Sequence, residues 1–349
     1  MFTIMRKQVN IFIIDLIKAV AIILVVFGHA MQLGSGKTFE SVFLSNPVVI
    51  FIYSFHMPIF MLISGYLYNF SINKYSFKTI CKKKLVGLVV PILSWNIIIT
   101  LLDLFSINNK KLSLVYFFKV YVGECIGNLW FLWAVIICSV IILIVNKLFK
   151  DNIIIYLAIF IISFFSTDMY NFNLYKYMYP FFLVGYIANR YNVAEILKKV
   201  NSKCVVFIFT IIYVIMLFFW KTEMSIYISG FRLLGKESVI YQFCIDIFRY
   251  IIGFLGSFIF IYFISIISKK LKTKSKSVLT YIGKNTMGIY IISDLLSVYI
   301  LKRVTSNISE LNYIITCVET LVILIICLII IEMLKKIKVL NFLFLGNKN

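Results

Sequence analysis

The sequence predicts an all-α polytopic integral membrane protein, and three observations carry that prediction. Hydrophobic residues make up 62% of the 349 positions and charged ones 14%, with a mean hydropathy of +0.99. A soluble domain of this length has no use for so much apolar surface. Apolar runs long enough to cross a bilayer recur along the whole chain. The 35 Lys and Arg, against 14 Asp and Glu, sit in short clusters between those runs, a pattern of membrane topology rather than of nucleic-acid binding. Backbone inside lipid must satisfy its own hydrogen bonds, so the runs are expected to be helical.

About ten segments read as transmembrane helices, near 11–33, 48–70, 85–105, 129–147, 152–167, 174–190, 203–220, 242–268, 278–301 and 311–334. Arg6 and Lys7 lead into the first run. It is too long for a signal-peptide core and has no small-residue cleavage site, so it is expected to remain as the first span. With the N-terminus in the cytoplasm, every inner connection is basic. Lys74, Lys78, Lys82, Lys83 and Lys84 follow the second span, and Lys147 and Lys150 the fourth. Arg190, Lys198, Lys199 and Lys203 follow the sixth, and lysines crowd 269–276. Lys335, Lys336 and Lys338 close the tenth, so both termini are expected in the cytoplasm of a multi-pass protein of the cell membrane. No connection is long enough for an appended soluble domain, and 1–349 reads as one membrane-embedded domain. The longest connections, near 106–128 and 221–241, fall outside and are open to three readings: lid, re-entrant element or ordinary loop.

The seven Cys show no CxxC and no metal-ligand spacing with His, and no metal is expected. Cys125 and Cys244 both fall near the outer face, where nothing in the spacing favours a disulfide.

The first span, IFIIDLIKAVAIILVVFGHAMQ, carries Asp15, Lys18 and His29, groups that are costly in hydrocarbon and mark a functional site by default. Lys18 and His29 are eleven residues apart, which is about three turns, or roughly 16 Å along one face. Asp15 lies three residues before Lys18 on nearly the same side. In the second span, Pro58 withholds an amide from the Ser54 carbonyl, so a kink is expected beside His56. His29 and His56, the two histidines of the chain, fall at similar depth on adjacent antiparallel helices. Asp294 and Glu319 add charge to the same outer half, and Asp246 with Arg249 reads as a structural ion pair. Asp15, Lys18 and Lys284 lie toward the inner half, where Lys284 is placed to snorkel. Together these groups predict a polar cavity open outward, reached from the cytoplasm by a basic path.

The stretches DLIKAVAIILVVFGHA and FHMPIFMLISGYLY resemble the opening of the acyltransferase-three superfamily, nearest its fucose 4-O-acetylase-like branch of sugar and polysaccharide O-acetyltransferases. The likeness continues through NLWFLWAVI at 128–136, YPFFLVGYIAN at 179–189 and IGKNTMGIYIIS at 282–293. Lys18 and His29 match that family's basic-residue-then-His signature position for position. Two departures stand out. Asp294 occupies a place where the family often has His, and the basic stretch after the second span is all lysine, less suited than Arg to bidentate phosphate binding.

The resemblance implies transfer of an acyl group, usually acetyl, from cytoplasmic acyl-CoA to a hydroxyl of a glycan at the outer face. Such chemistry needs a base for the hydroxyl proton, and His29 is assigned that role. His56, Asp294 and Glu319 are its candidate orienting partners. Lys18, its charge partly balanced by Asp15, is assigned to the anionic donor, together with Lys82 and Lys84. Trp130, Asn285 and Tyr290 are candidates for the acceptor site, because aromatic faces suit sugar rings. Acetyl-CoA enters as donor substrate. Direct transfer is preferred to an acyl-enzyme on Ser64, since nothing resembles a nucleophile elbow. The partners expected are the bilayer, the donor and a sugar or polysaccharide acceptor, with no nucleic acid and the oligomeric state open. The rival reading is a transporter or flippase of a polysaccharide or its precursor, although no internal repeat signals one.

Overall fold

The computed structural model describes residues 11–34, 41–106, 113–192, 202–233, 238–301 and 312–347. All regular structure among these is helical. Arg6, Lys7, Lys198 and Lys199, used above to set orientation, lie outside the described residues.

The helices are α1 (Ile11–Gly34), α2 (Pro47–Lys74), α3 (Phe77–Lys84), α4 (Val90–Ser106), α5 (Leu114–Gly127), α6 (Trp130–Phe149) and α7 (Ile153–Ser163). They continue with α8 (Phe172–Arg190), α9 (Ser202–Phe218), α10 (Val239–Lys270), α11 (Thr273–Lys284) and α12 (Thr286–Leu296), then α13 (Tyr313–Lys336) and α14 (Lys338–Leu345). A π-helical turn, Leu85–Val89, joins α3 to α4, and another, Ser297–Leu301, extends α12. Among the described residues, 6 helical stretches are long and apolar enough to cross a membrane. Three more apolar helices are shorter: Ile153–Ser163, Lys203–Phe218 and Thr286–Leu301. The predicted sixth span is helical as α8, whose Asn173, Lys176 and Asn189 make it more polar than its neighbours.

At the centre stands α1, packed against α2, α10, α11, α12 and α13. Asp15 is buried and Lys18 and His29 are partly buried on this helix. The closest pair is α2 with α8. A Cβ at Gly65 would overlap the Phe182 carbonyl, and one at Gly185 the Leu62 carbonyl, so the two backbones touch where each sequence has no side chain. Further along the same seam, Asn69 donates to Asn189 (2.9 Å), which donates to the Tyr66 carbonyl (2.7 Å). On the other side of α1, a Cβ at Gly283 would overlap the Asp15 carbonyl, so α11 crosses α1 at that point.

Several elements differ from expectation. The connection 106–128 is not an open loop: its described part folds as α5 against α4, where the Tyr121 hydroxyl donates to the Leu93 carbonyl. The segment expected as one ninth span starts earlier, at Thr273, and breaks at Asn285, which caps α11 by donating to the Tyr281 carbonyl (2.7 Å). The chain also forms α14 after the last span, pinned by Trp95 Nε1 donating to the Phe344 carbonyl (2.9 Å). Pro58, where a kink is expected, lies inside α2 without ending the helix. Cys125 and Cys244 are both free thiols.

At the other end of α6, Asp151 gathers hydrogen bonds from Asn146 (2.7 Å), Tyr156 (2.5 Å) and Tyr186 (2.9 Å), and pairs with Arg190. Arg190, read from sequence only as a topology signal, thereby joins α6, α7 and α8.

Because both obstructing groups at the α2–α8 crossing are backbone, Gly65→Leu is expected to destabilise the protein by about 3 kcal/mol or more. Gly123→Ala, where an added Cβ meets nothing within 4 Å, is expected to change stability by less than about 1 kcal/mol. Thermal unfolding of the two variants in detergent checks the contrast.

Candidate active site

Two cavities lie end to end along α1. The inner one, about 150 Å³, is lined by Lys18, Ile22 and Val25 of α1, Met57, Phe60 and Ser64 of α2, Leu88, Phe131 and Leu132, and Thr286 and Tyr290 of α12. Lys18 is its one charged group. The outer cavity, about 490 Å³, is far more polar. His29 and Gln32 enter it from α1, Tyr53 and His56 from α2, and Tyr290 and Asp294 from α12. Asn128, Trp130, Asn171, Asn173 and Tyr227 complete the wall. Val25, Met57 and Tyr290 belong to both cavities.

The order of these residues follows from helix geometry. On α1, Val25 is one turn inward of His29, and Lys18 two turns further in. On α12, Tyr290 is one turn inward of Asp294, and Thr286 one turn beyond that. The site is thus layered: His29 with Asp294 outermost, Val25 with Tyr290 and Met57 at the junction, Lys18 with Thr286 innermost.

His29 Nδ1 lies 3.9 Å from Asp294 Oδ1 and, among the described residues, accepts or donates no hydrogen bond. A carboxylate on that side favours the proton on Nδ1, which leaves the lone pair on Nε2. His56 is fixed differently. Its Nδ1 lies 2.8 Å from the Ile52 carbonyl, which can only accept, so Nδ1 carries the hydrogen and Nε2 the lone pair. The Tyr53 ring, 4.8 Å away, holds it in place. In the inner cavity Lys18 Nζ meets Asp15 Oδ1 at 2.8 Å, and Asp15 is 4% exposed. The pair lies beside the crossing of α11 at Gly283, which closes over Asp15.

The remaining sequence-predicted residues divide. Trp130 and Tyr290 do reach the outer cavity. Asn285 does not: it sits at the break before α12, and the next residue, Thr286, faces the inner cavity. Glu319 is half-buried on α13 and lines neither cavity. Lys84 lies over the Tyr68 ring (4.9 Å to its centroid) and lines neither cavity, whereas Lys82 is exposed. Lys284 is exposed at the end of α11.

Tyr53, Asn128, Asn171, Asn173 and Tyr227 were not singled out from sequence. Asn128 carried a signal, being the first residue of the NLW stretch. It and Asn171 flank backbone in the left-handed region, with φ of +50° at Leu129, +53° at Tyr170 and +63° at Asn171. Such conformations are disfavoured for residues with a side chain and gather at functional sites. Asn171 Nδ2 donates to the Gly127 carbonyl (2.7 Å), tying this turn to the end of α5.

The segment from Thr222 to Leu233 roofs the outer cavity with Tyr227 and is held from two sides. Arg249 of α10, 1% exposed, donates to the carbonyls of Met224 (2.7 Å), Gly230 (2.6 Å) and Ser225 (2.9 Å), and pairs with Asp246 (2.7 Å). Asp168 accepts from the Phe231 and Arg232 amides (2.8 and 3.0 Å) and from Lys176 (2.6 Å). Burial alone would push the Asp168 carboxyl up, but these three donors outweigh it and hold its pKa below the usual carboxylate range. Of the readings open for 221–241, the described part is an anchored cover.

Two comparisons bear on the site. Residues 11–332 match the family model of an acyltransferase domain. The chain is 33% identical over 181 residues to nodulation protein NolL of Sinorhizobium fredii, covering 50% of this chain and 47% of that protein. It is 33% identical over 174 residues to nodulation protein NolL of Mesorhizobium japonicum, covering 50% and 46%. The matched region spans about half the length of these curated relatives. No solved structure matches the chain.

Removing the Arg249 fork takes a donor from four carbonyls, those of Glu223, Met224, Ser225 and Gly230, and leaves Asp246 as a buried charge without its cation. Arg249→Met is therefore expected to cost about 3–5 kcal/mol, read as a lowered unfolding midpoint and faster proteolysis within 222–233.

Proposed function

The chain belongs to the acyltransferase-3 family, and on that premise we propose that it carries an acyl group, acetyl in the first instance, from cytoplasmic acyl-CoA to a hydroxyl of a glycan at the outer face of the membrane. The chain crosses the membrane ten times on this reading, with both termini in the cytoplasm. The observation that carries the proposal is the end-to-end meeting of the two cavities, one holding Lys18 and the other His29.

A thioester donor of this kind has an anionic head and a long, uncharged arm. Lys18, the charged group of the inner cavity, attracts the head from the inner side, and Lys84 adds positive charge to that half of the protein. The apolar chamber takes the arm, and the roughly 16 Å from Lys18 to His29 suits an arm that is extended. The acceptor enters the outer cavity, where Trp130 and Tyr227 offer ring faces and Asn128, Asn171 and Asn173 line the wall with amides. His29 Nε2 takes the acceptor hydroxyl proton as the oxygen attacks the thioester carbonyl. Asp294 orients the ring and offsets the charge it gains, as the third group of a base–orienter pair does. When the C–S bond breaks, the thiolate recovers that proton from His29, so no net proton is released. Ser64 faces the inner chamber and neither histidine lines that chamber, which supports direct transfer over an acyl-enzyme.

His29→Ala is expected to lower kcat by about 10²–10⁴-fold while the protein still inserts. Lys18→Ala is expected to raise the donor KM about tenfold, a loss near 1.4 kcal/mol, with acceptor KM unchanged. Initial rates at varied donor and acceptor concentrations read both. The governing experiment supplies labelled acetyl-CoA to the cytoplasmic face of inverted vesicles with a glycan acceptor inside. Label on the luminal glycan is the expected result. Unlabelled glycan that crosses intact would mean a transporter instead.

A further inference from the structure

Attack on a thioester turns its carbonyl oxygen into an oxyanion, and that charge needs a hydrogen-bond donor placed before the reaction begins. His29 is occupied with the proton, and the carbonyl lies inward of it, where the donor arm meets the acceptor. One turn inward of His29 is the junction of the two cavities, about 6 Å away along the helix. Three residues line both cavities there: Val25, Met57 and Tyr290. Val25 and Met57 have no hydrogen to donate. The other hydroxyls stand on one side or the other, Tyr53 and Tyr227 in the outer cavity, Ser64 and Thr286 in the inner. Nor does His56 fill the need, because the Ile52 carbonyl holds its hydrogen on Nδ1 and leaves an acceptor at Nε2.

We propose, resting on the acyl-transfer reading above, that Tyr290 is a catalytic residue whose phenol donates to the thioester carbonyl oxygen and stabilises the tetrahedral oxyanion. The step balances without any further reactant. The acceptor oxygen forms its bond to the carbonyl carbon, its proton passes to His29, and the carbonyl π pair moves onto the oxygen facing Tyr290. Collapse restores the carbonyl and expels the thiolate, which takes the proton from His29, while Tyr290 keeps its own throughout. Tyr290 is fixed for this by position. It shares a face of α12 with Asp294 one turn away, and its ring packs edge-on to Phe131, 6.0 Å between centroids. Phe131 is wedged in turn between Phe60 and Trp130, at 5.8 and 5.9 Å.

The test is steady-state kinetics of Tyr290→Phe beside the unsubstituted protein, with acetyl-CoA and the glycan acceptor. Phe preserves the ring packing against Phe131 and removes the hydroxyl. The expected result is a fall in kcat of about 10²–10³-fold, with both KM values within about threefold and an unchanged unfolding midpoint. An unchanged kcat overturns the assignment, and so does a raised acceptor KM with kcat intact, which would make Tyr290 an acceptor-binding residue. Should Tyr290→Phe fail to fold, 3-fluorotyrosine at position 290 replaces it. A stronger donor there is expected to change kcat, and an unaltered kcat rejects the proposal. Absence of transfer by the unsubstituted protein would instead reject the acyl-transfer reading, so the two failures are distinct.

Discussion

An ammonium group on an apolar helix is tolerable only beside a fixed counter-charge and away from lipid, and the architecture is arranged around meeting that condition at Lys18. Asp15, one turn earlier, supplies the charge at 2.8 Å. Such a pair is stable in a low-dielectric interior only when held closely. The holding is done by α11, whose Gly283 brings its backbone onto the Asp15 carbonyl, and by the ring of helices that keeps α1 at the centre of the bundle. The same enclosure places His29 three turns along the same helix in a cavity rather than against hydrocarbon.

Much of this was legible because helices convert spacing into direction. The interval between Lys18 and His29 fixed a shared face, and equal depth on antiparallel helices was enough to bring His29 and His56 to one cavity. Asp294 was recognisable as a charge out of place, although only the packing of α12 against α1 sets it 3.9 Å from His29. Depth without rotation misleads. Glu319 lies on a helix with the right kind of residue and still lines neither cavity, because nothing in its own stretch of sequence says which side of α13 faces inward. Asn285, a candidate for the acceptor site, lines neither cavity, and its amide caps a helix break instead.

The residues that escaped sequence reading are those whose place depends on chain far away. Tyr227 is over the outer cavity because Arg249, some twenty residues later, gathers the carbonyls of its segment, and because Asp168 ties down the far end. Arg249 with Asp246 was correctly taken as a structural pair, but its larger part, fastening the 222–233 cover, is invisible without the fold. Asn171 reaches the Gly127 carbonyl, one residue before Asn128, and both asparagines border left-handed backbone that no propensity argument anticipates.

The junction formed by Val25, Met57 and Tyr290 has one more consequence. A cavity of about 490 Å³ with many polar walls is wet whenever no acceptor fills it, and water is itself a hydroxyl nucleophile. On the proposed reaction, the energised bond lies at this junction, and Val25 and Met57 are the apolar groups that border it there. The enzyme's economy, acyl groups delivered against acyl groups wasted by hydrolysis, is then set by two aliphatic side chains that take no part in the chemistry.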